Sequence, residues 1–161
     1  MNFSDACLLK PEEVLRYYKA FSFYYRTLKE EYYALKSAGD IHVQDYSEKV
    51  NSGNKISMPV EEYNAKLDGL LDKIKEIYIY IQSVNSLITE LRNPANILDK
   101  AKSDIALEII SSHFWKYESL EFISKKICID ISDLEKIKNY TLCRLRFSMD
   151  SKIADVRALT M

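Results

Sequence analysis

Apolar residues recur in alternating steps of four and three along the first third of the chain. Val14, Tyr18, Phe21, Tyr25, Leu28, Tyr32 and Leu35 form one such series, between Pro11 and Gly39. Proline suits the first turn of a helix and glycine the position just past its end, so this stretch predicts a helix with a heptad stripe. Tyr17, Phe23, Tyr24 and Tyr33 widen its apolar surface beyond a narrow seam. Residues 39–58 then read as a polar loop without a sustained period. Such length is uncommon inside a compact domain and marks a mobile or binding segment. Pro59 opens a second series, Val60, Tyr63, Leu67, Leu70, Ile74, Ile77, Ile81, Val84, Ile88 and Leu91, which keeps the alternation as far as Asn93-Pro94.

A helix of about 33 residues is roughly 50 Å long, more than a globule of this size can cover. The expected arrangement is therefore an antiparallel, coiled-coil-like hairpin, with leftover seam available for a homodimer through the long helices. The same stripes would also serve as the ordinary core of a bundle. Past Pro94 the elements shorten. A helix is expected from about Asp99 or Asp104 to Phe114, a short one over 119–126, and one from about Ile131 to Phe147, with Ser119 and Asp130 placed as N-caps. The tail after Phe147 has no clear assignment beyond a further short helix. The expected fold is all-α: a long helical hairpin over 1–93, followed by a helix-turn-helix module over 94–161.

Composition agrees with this division. Gly and Pro total six of 161 residues, where average usage gives roughly nineteen, which disfavours turn-rich β folds and low-complexity chains. The net charge of −1 divides into −2 over 1–93 (12 basic, 14 acidic) and +1 over 94–161 (11 basic, 10 acidic). No global field attracts nucleic acid, so any such partner must meet a local patch. Cys7, Cys128 and Cys143 are odd in number and lack CxxC spacing, so reduced thiols in a cytoplasmic protein are expected. No apolar run suits a signal sequence or a membrane span, and no membrane partner is expected.

The stretch from Ser119 to Phe147 carries the candidate chemistry. Leu120, Ile123 and Ile127 are spaced to pack on Leu134, Ile137, Thr141 and Leu142 across a four-residue turn, as a helix-turn-helix requires. That packing turns Ser132, Asp133, Lys136, Asn139, Tyr140 and Cys143 outward. Lys136 and Asn139, with Ser132 and Tyr140 beside them, are the candidates for base edges. Lys125, Lys126, Lys138, Arg144 and Arg146 are the candidates for backbone phosphates of double-stranded DNA.

Residues 114–145 also resemble the sigma-70 region-4-like helix-turn-helix of Gram-positive phage and prophage regulators of the ArpU and RinA type. Phe114-Trp115 stands where that pattern has an aromatic-hydrophobic pair. Ser119-Leu120 opens the first helix, Ile123-Ser124 sits mid-helix, and Ile127 precedes the turn. Leu134, Glu135, Lys136 and Ile137 match the Val/Leu-x-basic-Leu/Ile core of the second helix. The resemblance implies a transcriptional regulator that binds DNA. Cys128 stands where that pattern frequently has glycine, Asp133 and Glu135 place negative charge at the start of the reading helix, and Asn139 and Tyr140 replace frequent basic residues. These departures support a second reading: an adaptor or inhibitor acting by protein contact, on RNA polymerase or a host defence protein. A sigma factor of the extracytoplasmic-function type fits the length, but the first 93 residues show no promoter-melting module.

Enzymatic chemistry is not expected. His42 and His113 are isolated, the adjacent Glu pairs at 12–13, 30–31 and 61–62 suit helix dipoles, and the three glycines form no phosphate cradle. No cofactor and no metal site is expected. Most tyrosines fall in or beside the stripes and read as packing residues, and Trp115 reads as a core anchor behind the helix-turn-helix.

Overall fold

Lys10 and Glu13 set the start of the first helix. The Val14 N–H donates to the Lys10 carbonyl at 3.0 Å, and the Glu13 carboxylate accepts the Lys10 N–H at 2.9 Å, which is the reciprocal half of a capping box. From there α1 runs from Pro11 to Asp45. In the computed structural model, which describes residues 8–45, 60–95 and 97–159, it is followed by α2 (Val60–Arg92), α3 (Ile97–Ile109), a π-helical turn (Ile110–Phe114), α4 (Leu120–Ile127) and α5 (Ile131–Leu159). The protein is all-helical, with no strand among the described residues. Residues 46–59, most of the expected polar loop, lie outside the described residues, as does Cys7.

Two element ends differ from the sequence expectation. Gly39 does not stop α1; it lies inside it, with no positive φ. A Cβ at Gly39 would collide with the phenol oxygen and ring carbon of Tyr63, so glycine serves a close approach rather than a terminus. Secondly, α5 does not end near Phe147. It continues to Leu159 because Met149 and Ile153 extend its buried stripe by two turns beyond Leu145.

The chain divides into two compact units, one of residues 22–78 and one joining the residues up to Phe21 with those from Ile79 onward. The division falls inside α1 and α2 rather than at Pro94. In the 22–78 unit, α1 and α2 run antiparallel. Tyr25 faces Tyr78 with ring centroids 6.1 Å apart, and the Tyr63 hydroxyl donates to the Leu35 carbonyl at 3.0 Å. Leu70 and Ile74 are buried in this seam, and Leu28, Tyr32, Leu35 and Leu67 are half-buried. The predicted stripe therefore packs inward, while Phe23, Tyr24 and Tyr33 remain exposed.

The other unit holds a larger core. Val14, Leu15 and Phe21 from α1 are buried, as are Ile79, Tyr80, Val84, Leu87 and Leu91 from α2. Ile79, Tyr80 and Leu87 lie off the heptad series. They are buried because this half of α2 is covered on more than one side, which a single stripe cannot encode. Tyr80 packs on Phe21 at 5.4 Å and accepts the Leu9 N–H at 3.0 Å, and the Tyr18 hydroxyl donates to Asn85 Oδ1 at 2.6 Å.

Candidate nucleic-acid interface

The α4–turn–α5 unit follows directly on the π-turn. The Trp115 N–H reaches back to the Ile110 carbonyl at 3.2 Å, an i to i−5 bond, and this extra residue carries Trp115 onto α1. Its indole N–H donates to the Leu15 carbonyl at 3.1 Å, its ring stacks on Tyr18 at 5.7 Å, and the Lys19 ammonium sits 5.3 Å from the ring centre. Trp115 is a packing anchor.

α4 begins at Ser119, whose hydroxyl accepts the Phe122 N–H at 3.2 Å. It ends at Cys128, held in the left-handed region at φ 55°, ψ 46°. That conformation favours glycine, and here a cysteine adopts it. The Ser124 carbonyl accepts from the backbone N–H groups of both Cys128 and Ile129, and the Ser124 hydroxyl donates to the Ile129 carbonyl at 2.6 Å. The turn is thus satisfied from inside α4. The Asp130 carbonyl accepts the Asp133 and Leu134 N–H groups, each at 3.1 Å, which places Asp130 at the N-cap position of α5.

Between the two helices, Ile123, Leu134 and Thr141 are buried, and Leu120, Ile127, Ile137 and Leu142 are half-buried. Every residue of the expected outward set, Ser132, Asp133, Lys136, Asn139, Tyr140 and Cys143, is exposed. The candidate base-reading residues Ser132, Lys136, Asn139 and Tyr140 therefore share one open face.

The candidate phosphate residues do not form one free patch. Lys126 bonds Glu108 of α3 at 2.7 Å, Arg144 is tied to Glu90 of α2, and Arg146 pairs with Asp150 at 3.3 Å. Lys136 itself is held by Asp133 at 3.0 Å. Of the candidate phosphate residues, only Lys125, exposed, and Lys138, half-buried, take part in none of these ion pairs. Hydrogen bonds from Lys126 and then Ser112 hold the Glu108 carboxyl below the usual carboxylate range, and the same bond raises the Lys126 ammonium. These pairs lie at the surface or half-buried beside it, and such pairs are weak enough to exchange for phosphate.

No protein-family model, curated protein or solved structure matches this chain. What the site can do must therefore come from its own geometry. Among the described residues no group of His, Cys, Asp and Glu is arranged to hold a metal ion, and no helix is long and apolar enough to cross a membrane. The i, i+4 pairing of Arg146 with Asp150 was legible in the sequence. Glu90 and Glu108, which hold Arg144 and Lys126, lie 54 and 18 residues away along the chain and gave no such signal.

Proposed function

We propose that the protein is a DNA-binding transcriptional regulator of a phage or prophage, acting in the cytoplasm of its bacterial host, with α5 entering the major groove. The single observation that carries this reading is the shared exposure of Ser132, Lys136, Asn139 and Tyr140 on one face of a capped α4–turn–α5 unit. The N-terminal turns of such a helix reach base edges, and the residues around it hold phosphates. The resemblance of residues 114–145 to the ArpU and RinA type of regulator supports the same reading. In it the long hairpin meets a second copy or a partner protein.

The ion pairs refine the expected affinity. Five phosphate contacts from Lys125, Lys126, Lys138, Arg144 and Arg146 correspond to a slope of log K against log salt of about −4 to −5. If the three carboxylate-held residues among them contribute nothing, Lys125 and Lys138 alone give about −2. Gel-shift titrations on phage DNA upstream of the regulated genes, at two salt concentrations, measure this slope. Weak binding that does not respond to salt overturns the reading. A Lys136→Ala, Lys138→Ala double variant should lose binding.

The second reading, an adaptor or inhibitor acting on RNA polymerase or a host defence protein, is favoured by one observation. Lys126, Lys136, Arg144 and Arg146 are each neutralised by a carboxylate of the same chain. Full biological activity of the double variant moves the weight to it.

A further inference from the structure

Beside its buried stripe, the second half of α5 carries a polar row. Arg144, Ser148 and Lys152 recur every fourth residue, with Phe147 and Ser151 next to them, and Ser86 and Glu90 of α2 stand across from the row. Because serines fill three of these places, the two helices leave a groove of about 250 Å³ between them. Its donors are unused. Thr27, Ser111, Ser124 and Thr141 each donate a hydroxyl to a backbone carbonyl, as such side chains do when nothing else claims them. By contrast, the hydroxyls of Ser86, Ser148 and Ser151 and the ammonium of half-buried Lys152 have no partner among the described residues. Ser83, one turn earlier on the same side of α2, is fully buried, and its hydroxyl is also without a partner. Glu90 holds Arg144 through one amino group, which fixes the guanidinium at the groove and leaves its other N–H groups to donate. Two cations against one carboxylate leave a single positive charge, and Lys152 is the group that carries it unpaired. Phe147, 72 % exposed, sets a bare aromatic ring against the same space.

We propose that this groove binds a nucleoside monophosphate. The unused groups are an ammonium and hydroxyls, all donors, so the ligand must bring an oxyanion. A phosphate matches them better than a carboxylate, because its three terminal oxygens can take Lys152, Ser148 and Ser151 together. The ring of Phe147 asks for a second, flat part of the ligand, and a nucleobase stacks on such a ring whatever its sequence identity. Ser151 and Lys152 lie four and five residues beyond Phe147, roughly 6–7.5 Å along the helix axis, and a nucleoside monophosphate separates its base from its phosphate by a similar span. Between them, the Ser86 hydroxyl and the second carboxylate oxygen of Glu90 face the sugar hydroxyls. The volume is small for a ligand site, which suits one nucleotide and excludes a dinucleotide. A sugar phosphate would leave Phe147 bare, and an uncharged aromatic compound would leave Lys152 unpaired.

The site goes beyond the DNA-binding reading and does not rest on it, since none of Ser132, Lys136, Asn139 and Tyr140 lines the groove. Titration calorimetry of the full chain without DNA, using adenosine monophosphate, adenosine and inorganic phosphate in turn, reads the site directly. The monophosphate should saturate one site per chain and bind at least about tenfold more tightly than adenosine or phosphate, because only it uses both ends of the groove. Lys152→Ala and Phe147→Ala should each weaken it roughly tenfold or more, through the charged contact and the stack respectively. Ser151→Asp, which adds a carboxylate among the donors at an exposed position, should abolish binding while helical content by circular dichroism stays unchanged. Lys66→Ala removes the same charge from an exposed position in the 22–78 unit and should change nothing. Three results overturn the proposal: no saturable binding of the monophosphate at millimolar concentration, affinity no higher than that for phosphate alone, or binding untouched by Lys152→Ala. A short duplex DNA that binds through Lys152 where the monophosphate does not would also overturn it and assign the groove to backbone phosphates. Gel shifts measure the DNA reading separately, so either reading can fail while the other stands.

Discussion

Replacing Gly69 and Gly39 by alanine, one at a time, places the same methyl group in two helices of the 22–78 unit and should move stability in opposite directions. Glycine inside a helix costs about 1 kcal/mol relative to alanine, because the unfolded chain loses more freedom on folding. Nothing lies within 4 Å of where a Cβ at Gly69 would stand, so Gly69→Ala should gain that full amount. At Gly39 the new methyl would overlap the Tyr63 phenol, and the ring must leave. Its hydroxyl then gives up the 3.0 Å bond to the Leu35 carbonyl, at about 1 kcal/mol, and its half-buried ring loses roughly 1–2 kcal/mol of packing. The net is a loss of about 1–2 kcal/mol, so the two variants should differ by about 2–3 kcal/mol. For a chain of this size that is a melting-temperature difference of roughly 4–12 °C. Thermal and urea unfolding followed by circular dichroism measures it. In a Tyr63→Ala background, Gly39→Ala should instead stabilise by about 1 kcal/mol. Equal stabilisation by the two glycine replacements in the natural chain would refute the close approach of Tyr63 to Gly39.

Three further outcomes are expected. Cys128→Gly should raise stability by about 0.5–1 kcal/mol in thermal melts, since it relieves a left-handed cysteine costing about 1–2 kcal/mol and gives back part of that in glycine's chain entropy, whereas Cys128→Val should destabilise. Trp115→Phe removes the bond to the Leu15 carbonyl and part of the stack on Tyr18, and should cost about 1–2 kcal/mol in urea unfolding, with faster amide exchange near Leu15. Because the Glu108 carboxyl is lowered from 4.5 in the folded protein, its bonds to Lys126 and Ser112 stabilise the fold above that value and are lost as pH falls through the lowered one. Glu108→Gln should therefore flatten the acid limb of the melting profile, and identical acid limbs in the two proteins would refute that role.

Much of the helical plan was legible because periodicity and end signals are local. The series from Val14 to Leu35 and from Val60 to Leu91 predicted two long helices, and Ser119 with the Ile123, Leu134 and Thr141 spacing predicted a turn between two packed helices. The outward set on α5 followed from the same spacing. Gly39 misled because a glycine that ends a helix and a glycine that admits a neighbouring ring look alike until Tyr63 is in place. The end of α5 was missed because Met149 and Ile153 gain their value only from what packs against them.

By itself, the sequence determined that the chain is helical, where most helices begin and which faces of them are apolar, since these depend on residues within a turn or two of one another. The burial of Ile79, Tyr80 and Leu87, the anchoring of Trp115 to Leu15 and Tyr18, and the pairing of Glu90 and Glu108 with Arg144 and Lys126 emerge only once the helices pack. Each of these depends on groups brought together from distant parts of the chain. Ion pairing and burial are properties of distance in space, which the order of residues does not display.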